Sequence, residues 1–179
     1  MRLHLKVMNI REKRHRLPKE FYKGEASVAF TLCLKRAVAP AVASAVASGF
    51  SLSDPGLAHR FIDILTPVVS GTGCIVPVYC FMPDHQHLII MGTRGDSNIW
   101  KAIVSYKQKT GFWMSSNKLG IMWQKDFYDH IIRKHEDMAA QVRYILDNPV
   151  RKGLVPSWQE YPFKGSIGCE LEDVLNGII

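Results

Sequence analysis

The sequence predicts an α+β sandwich of the split βαβ, ferredoxin-like kind, with an antiparallel sheet and one helix added at the C-terminal end. Three observations predict it. Short runs rich in β-branched and aromatic residues are bounded by turn formers. Two of these runs, 74–82 and 86–92, are separated by the turn-forming Pro83 and Asp84, as in a hairpin. Helical segments alternate with the runs to give the order β-α-β-β-α-β-α, whose first six elements match the split βαβ pattern.

Taken in order, residues 1–24 read as a basic arm, and "ASVAFTLCL" (26–34) as the first strand. The Ala/Val/Ser-rich stretch 37–50 fits either a loose helix or an elaborated loop, and is too short and too interrupted by proline to span a membrane. Ser53 or Asp54 can cap a helix through "PGLAHRFIDILTPVVS", with Pro55 suited to its first turn. After the hairpin, "DSNIWKAIVSYKQKTGFWMSS" reads as a helix opened by Asp96 or Ser97. A strand is expected over 121–132 and a last helix over 136–148, stopped by Pro149 because the residue before a proline is pushed out of the α region. The expected organisation is therefore the arm 1–24, one domain over 25–165 and a tail over 166–179.

The 179 residues suffice for one core; 47% are hydrophobic and 22% charged, which excludes disorder as a description of the whole. The formal charge is +7, and it is clustered. Eight Lys/Arg stand against Glu12 and Glu20 in residues 1–24, and six against Asp96 alone between Arg94 and Lys125. Clustered cations suit phosphates, through counterion release, and suit a solubilising surface equally well. Cys33, Cys74, Cys80 and Cys169 form no C-x-x-C pair and are expected as free thiols. With no apolar run behind the basic N-terminus, a cytoplasmic protein with no membrane association is expected.

The segment "FMPDHQHLII" (81–90) raises a chemical question. His85 and His87, two apart on a strand, point to the same face, with Cα atoms ~6–7 Å apart. Two neutral imidazoles at that spacing can converge on one metal ion, or can be two strand histidines with no ligand. No H-E-x-x-H or cysteine cluster accompanies them, which argues against structural zinc. On the last helix, Met138, Val142, Ile145 and Leu146 form the apolar stripe. Tyr144 falls on the opposite, polar face, with Asn148 one turn further on. A phenol there is either a surface tyrosine or a group held ready to act, with the Asn148 amide oxygen as a third donor to a cation.

Taken together and in this order, "PDHQHLII" and "WQKDFYDHIIRKHEDMAAQVRYILDNPVRKGLV" resemble the REP-associated tyrosine transposases, members of the HUH single-strand DNA nucleases. The resemblance extends from about Phe21 to Phe163. Gln86 departs from it, standing where the motif has a hydrophobic residue, and 37–50 has no counterpart.

The resemblance implies a ferredoxin-like fold, with His85, His87 and Asn148 binding Mg²⁺ or Mn²⁺ and Tyr144 as the nucleophile. Imidazole ligands favour Mn²⁺. It implies nicking and joining of single-stranded DNA bearing hairpin or palindromic elements, through a 5′-phosphotyrosine, in a protein associated with the bacterial nucleoid. Asp129, His130 and Lys107 are candidates for catalytic support. Arg11, Lys13, Arg14, Arg16, Lys101, Lys107 and Lys109 are candidates for phosphate contact. Trp100 and Trp113 are candidates for base stacking or for the core. A homodimer is open. Two alternatives stand beside this reading: a hairpin-DNA-binding protein that no longer cuts, and a nickase of the relaxase or replication-initiator type.

Overall fold

The computed structural model describes residues 18–36, 51–133 and 138–178. Its strands are β1 (Ser27–Arg36), β2 (Cys74–Phe81), β3 (His85–Gly92), β4 (Ile121–Trp123), β5 (Tyr128–Ile132) and β6 (Lys164–Ile167). Its α-helices are α1 (Pro55–Ser70), α2 (Ile99–Ser116), α3 (Met138–Leu146), α4 (Asn148–Arg151) and α5 (Leu171–Leu175). The six strands form one sheet in the order β4-β1-β3-β2-β6, with β5 also on β1, and every pairing is antiparallel. The first four strands thus stand in the order 4-1-3-2 of the split βαβ arrangement.

Helices cover both faces of the sheet. On one face α1 and α2 bury Val28, Phe30 and Leu32 of β1 and Leu88 and Ile90 of β3, together with Phe61 and Tyr106. On the other, α3 and α5 bury Val78, Cys80, Ile89, Val142, Ile145, Leu146 and Val174. α1 starts where expected: Asp54 accepts from Leu57 N at 3.0 Å, and Pro55 occupies the first turn.

Several expectations need correction. α2 is opened by Asn98, whose side chain accepts from Lys101 N at 2.9 Å, and not by Asp96 or Ser97. Ser97 is buried and bonded to Gly73 O. The single strand expected over 121–132 is two. β4 pairs with Leu34–Arg36 and β5 with Ser27–Thr31, with a register slip of two residues between them. The slip is even, so the alternation of faces survives it. Phe127, in the break, packs on Phe30 at 5.5 Å between ring centres, and Lys107 Nζ donates to Lys125 O at 2.7 Å to hold the loop. Pro149 does not end the helical path: the helix breaks at Asp147 and resumes as α4, with Pro149 in its first turn, where no N–H is needed.

The described part of the expected tail carries structure, since β6 pairs with β2 and α5 packs against α3. Tyr22 of the expected arm is fully buried in the α1/α2 core. Arg11, Lys13, Arg14, Arg16 and the stretch 37–50 lie outside the described residues. All four cysteines are free. Among the described residues no helix is long and apolar enough to cross a membrane.

A bulge sets the geometry of β2. Its register with β3 and with β6 shifts by one residue across Pro77, which can give no ladder hydrogen bond. A shift of one exchanges faces. Cys74 and Val76 therefore face α1/α2, whereas Val78 and Cys80 face α3/α5.

Gln86 lies beneath the sheet, fully buried, and accepts from Tyr106 Oη at 2.7 Å. Its Nε2 has no partner among the described residues. The position that interrupts the hydrophobic motif is therefore half-satisfied by a phenol from α2. Removing either partner strands the other, whereas removing both strands nothing. Tyr106→Phe alone is expected to cost about 1–3 kcal/mol and Gln86→Met/Tyr106→Phe to recover most of it. Urea unfolding of the double-mutant cycle measures this, and additive losses would refute the pairing.

Candidate active site on the α3 face

The odd positions of β3 project toward α3. His87 is registered against Thr31 of β1 and Cys80 of β2, and His85 against Cys33. Thr31 is in turn registered against Tyr128 of β5. Residues in register share a face. Cys80, His87, Thr31 and Tyr128 thus form one row across four strands, with His130 in the adjoining row beside Ala29 and Ile89.

The two imidazoles converge. His85 Nε2 and His87 Nε2 are 3.1 Å apart, with ring planes at 88°. Their other nitrogens are held from behind: His85 Nδ1 donates to Asp84 Oδ1 at 2.6 Å, and His87 Nδ1 is hydrogen-bonded to Thr31 Oγ1 at 2.9 Å. Partners of this kind orient imidazole ligands and raise their donor strength. A separation of 3.1 Å matches the edge of an octahedron with bonds of about 2.1 Å. Two such nitrogen donors fit a divalent cation. Among the described residues no set of three His, Cys, Asp or Glu comes together, so a third ligand drawn from these residues would be of another type.

Tyr144 supplies the other half of the site. It is 57% exposed on α3, opposite the buried Val142, Ile145 and Leu146, and shares a cleft of about 260 Å³ with His87, Thr31, Tyr128, His130 and Gln141. Asn148 follows at the start of α4. Its Nδ2 donates to Tyr144 O and Ile145 O, both at 3.1 Å, and its Oδ1 accepts from Arg151 Nη2 at 2.9 Å. Two carbonyls and one guanidinium allow the amide only one orientation, with Oδ1 as its acceptor atom, taken by Arg151. Arg151 also lies over the Tyr144 ring, its Cζ 4.0 Å from the ring centre.

The supporting residues divide. His130 is exposed and borders the cleft. Asp129 borders it too, but its carboxylate turns beneath the sheet, where Oδ2 accepts from Tyr22 Oη, so it braces the α1/α2 core. Lys107 sits in the α2 layer and is occupied with the β4–β5 loop, away from the cleft. Lys101 and Lys109 are exposed on that same helix. Trp100 packs against Tyr22 at 5.3 Å and Trp113 against Phe61 at 6.2 Å, which places both at the edge of the core.

Sequence reasoning missed Thr31, Tyr128 and Arg151. The first two depend on strand register, which no local pattern carries. Arg151 is seven residues past Tyr144, two helical turns on, and that spacing was readable once Pro149 is allowed inside the helical path.

Burial, then the charge of His85, then that of Arg151 push the His87 imidazole down from 6.5 to about 4. An unfolded chain takes up this proton as pH falls through 6.5, whereas the folded chain resists until about 4. Stability from this residue is therefore complete above 6.5 and lost on acidification to 4. With a chelator present, the wild type is expected to lose about 2 kcal/mol more than His87→Gln between neutral pH and pH ~4.5, as read by urea unfolding. Parallel pH curves would refute it.

No protein-family model matches the chain. Two curated proteins are similar to it. A putative REP-associated tyrosine transposase of Haemophilus influenzae is 33% identical over 98 residues, covering 47% of this chain and 54% of that protein. A REP-associated tyrosine transposase of Escherichia coli K12 is 33% identical over 91 residues, covering 49% of this chain and 52% of that protein. The chain thus spans about half the length of the curated relatives it matches. A solved structure of a REP-associated tyrosine transposase bound to a REP hairpin matches with a TM-score of 0.61 at 21% identity, over 83% of this chain and 81% of that one. The α+β fold is therefore shared with that structure, and the resemblance to REP-associated tyrosine transposases carried by the histidine pair and the tyrosine helix holds beyond those motifs.

Proposed function

We propose that this chain is a metal-dependent endonuclease and strand transferase for single-stranded DNA that carries hairpin or palindromic elements, working through a 5′-phosphotyrosine intermediate. The observation that carries the proposal is the convergence of two back-braced imidazole nitrogens, 3.1 Å apart, on the face whose cleft also holds an exposed helix-borne phenol. The curated relatives are named as transposases, and the structural neighbour was solved with a hairpin, which supports hairpin DNA as substrate.

His85, His87 and the Asn148 amide oxygen would hold Mg²⁺ or Mn²⁺, which supplies Lewis-acid polarisation of the scissile phosphate and stabilises charge on it. Tyr144 is the nucleophile. Its Oη forms a bond to phosphorus as the bond from phosphorus to the 3′ oxygen breaks in line. The phenol gives up one proton and the departing 3′ oxygen takes one up, so the balance is neutral. In the reverse direction a 3′-OH attacks the phosphotyrosine ester, frees Tyr144 and joins strands without ATP. Arg151, over the phenol ring, supplies positive charge where the anionic strand arrives. Lys101 and Lys109, with the basic residues of the arm, would contact phosphates further along the DNA.

A 3′-labelled hairpin oligonucleotide with REP-type palindromes and single-stranded flanks tests the proposal. With Mn²⁺ the label is expected to become covalently attached to protein. Tyr144→Phe should abolish the adduct, a chelator should prevent it, and His87→Ala should slow it by about 100-fold. Tight hairpin binding with no adduct under any divalent ion would sink the enzyme in favour of a binding protein.

A further inference from the structure

We infer that Arg151 is a positioning residue that latches the site in its DNA-free form, holding the Asn148 amide oxygen and the Tyr144 ring until a DNA phosphate draws the guanidinium away. The inference rests on the function proposed above. Tyr144, Asn148 and Arg151 stand at i, i+4 and i+7 along the α3–α4 path, so their side chains stack on one face. The guanidinium makes three contacts there. Nη2 donates to Asn148 Oδ1 at 2.9 Å and to Tyr144 O at 3.2 Å, and Cζ lies 4.0 Å from the centre of the phenol ring.

This arrangement is at odds with cation binding. The atom best suited to complete the donor set already faces a cation, and a turn of the amide would set its oxygen against the carbonyls of Tyr144 and Ile145, to which Nδ2 now donates. A divalent ion arriving at the histidine pair would meet Arg151 as a like charge. A phosphate offers the guanidinium a charge-assisted, two-point partner stronger than a neutral amide. Exchange onto phosphate would free Oδ1, uncover the phenol ring and replace repulsion by screening in one movement. DNA and the metal ion should then bind with positive coupling, reciprocally.

A purely structural role, in which Arg151 only satisfies carbonyls at the end of α3, predicts lowered stability and no change in metal affinity. Titration calorimetry of the full chain with Mn²⁺ alone separates the two. Arg151→Met keeps an apolar stem against Tyr144 but removes charge and donors, and Arg151→Lys keeps charge without the planar fork. Without DNA, Arg151→Met is expected to bind Mn²⁺ about five- to tenfold more tightly than wild type, and Arg151→Lys to change less. With a hairpin oligonucleotide present, wild-type Mn²⁺ affinity should rise by more than that of Arg151→Met, and Arg151→Met should form adduct more slowly. Equal or weaker Mn²⁺ binding by Arg151→Met, beside measurable binding by wild type, would overturn the latch and leave the proposed function standing. Absence of Mn²⁺ binding in wild type and variants alike, with and without DNA, would overturn both.

Discussion

The site depends on the register of β3 between β1 and β2, because a sheet sorts side chains by parity. With Thr31 opposite His87 and Cys80 on its other side, the odd residues of β3 face α3 and the even ones face α1 and α2. A slip of one residue on β3 would bury both imidazoles in the main core and carry Leu88 and Ile90 to the cleft. Burial of those two side chains alone opposes the slip by several kcal/mol, at about 1.5–3 kcal/mol per large aliphatic side chain. The two irregularities in the sheet respect the same rule. The odd shift at Pro77 turns β2 over in mid-strand, so that Val78 and Cys80 can line the α3 face. The even shift between β4 and β5 leaves faces unchanged, so Tyr128 joins the row of His87 and Asp129 does not.

That dependence on register explains how much of the molecule could be read from residues alone. The strands at 27–36, 74–81 and 85–92, the helix opened by Asp54, and the apolar stripe of α3 are local patterns, and each appeared where its periodicity placed it. The direction of His85 and His87 followed from a spacing of two, and the exposure of Tyr144 from helical geometry. What escaped was non-local. Asp129 and Tyr128 are neighbours in sequence, and only pairing with β1 decides which of their side chains turns toward α3. Lys107 looked available on a basic helix, but its ammonium is taken by carbonyls of a loop that no local signal attaches to it. β6 and α5 went unread because a four-residue edge strand and a five-residue helix are too short to show a period; both exist by virtue of the surfaces they cover.

Charge sets the remaining constraint on the proposed chemistry. Two imidazoles and an amide are neutral donors, and among the described residues the carboxylate bonded at the pair, that of Asp84, holds the far nitrogen of His85. A divalent ion there would keep nearly its full charge, beside an arginine and in a chain of formal charge +7. Such a site is poor at retaining a cation by itself, because most of the attraction that holds Mg²⁺ or Mn²⁺ in proteins comes from anionic oxygen. The missing negative charge is what a phosphodiester brings. On the proposed function, the neutral donor set makes metal binding conditional on substrate: the ion is held firmly only where a strand has already entered the cleft. A carboxylate in place of Asn148 would hold the ion more tightly without DNA, but would repel the phosphate it is meant to act on. The amide avoids that repulsion, leaving the tyrosine, the arginine and the arriving strand to settle the charge among themselves.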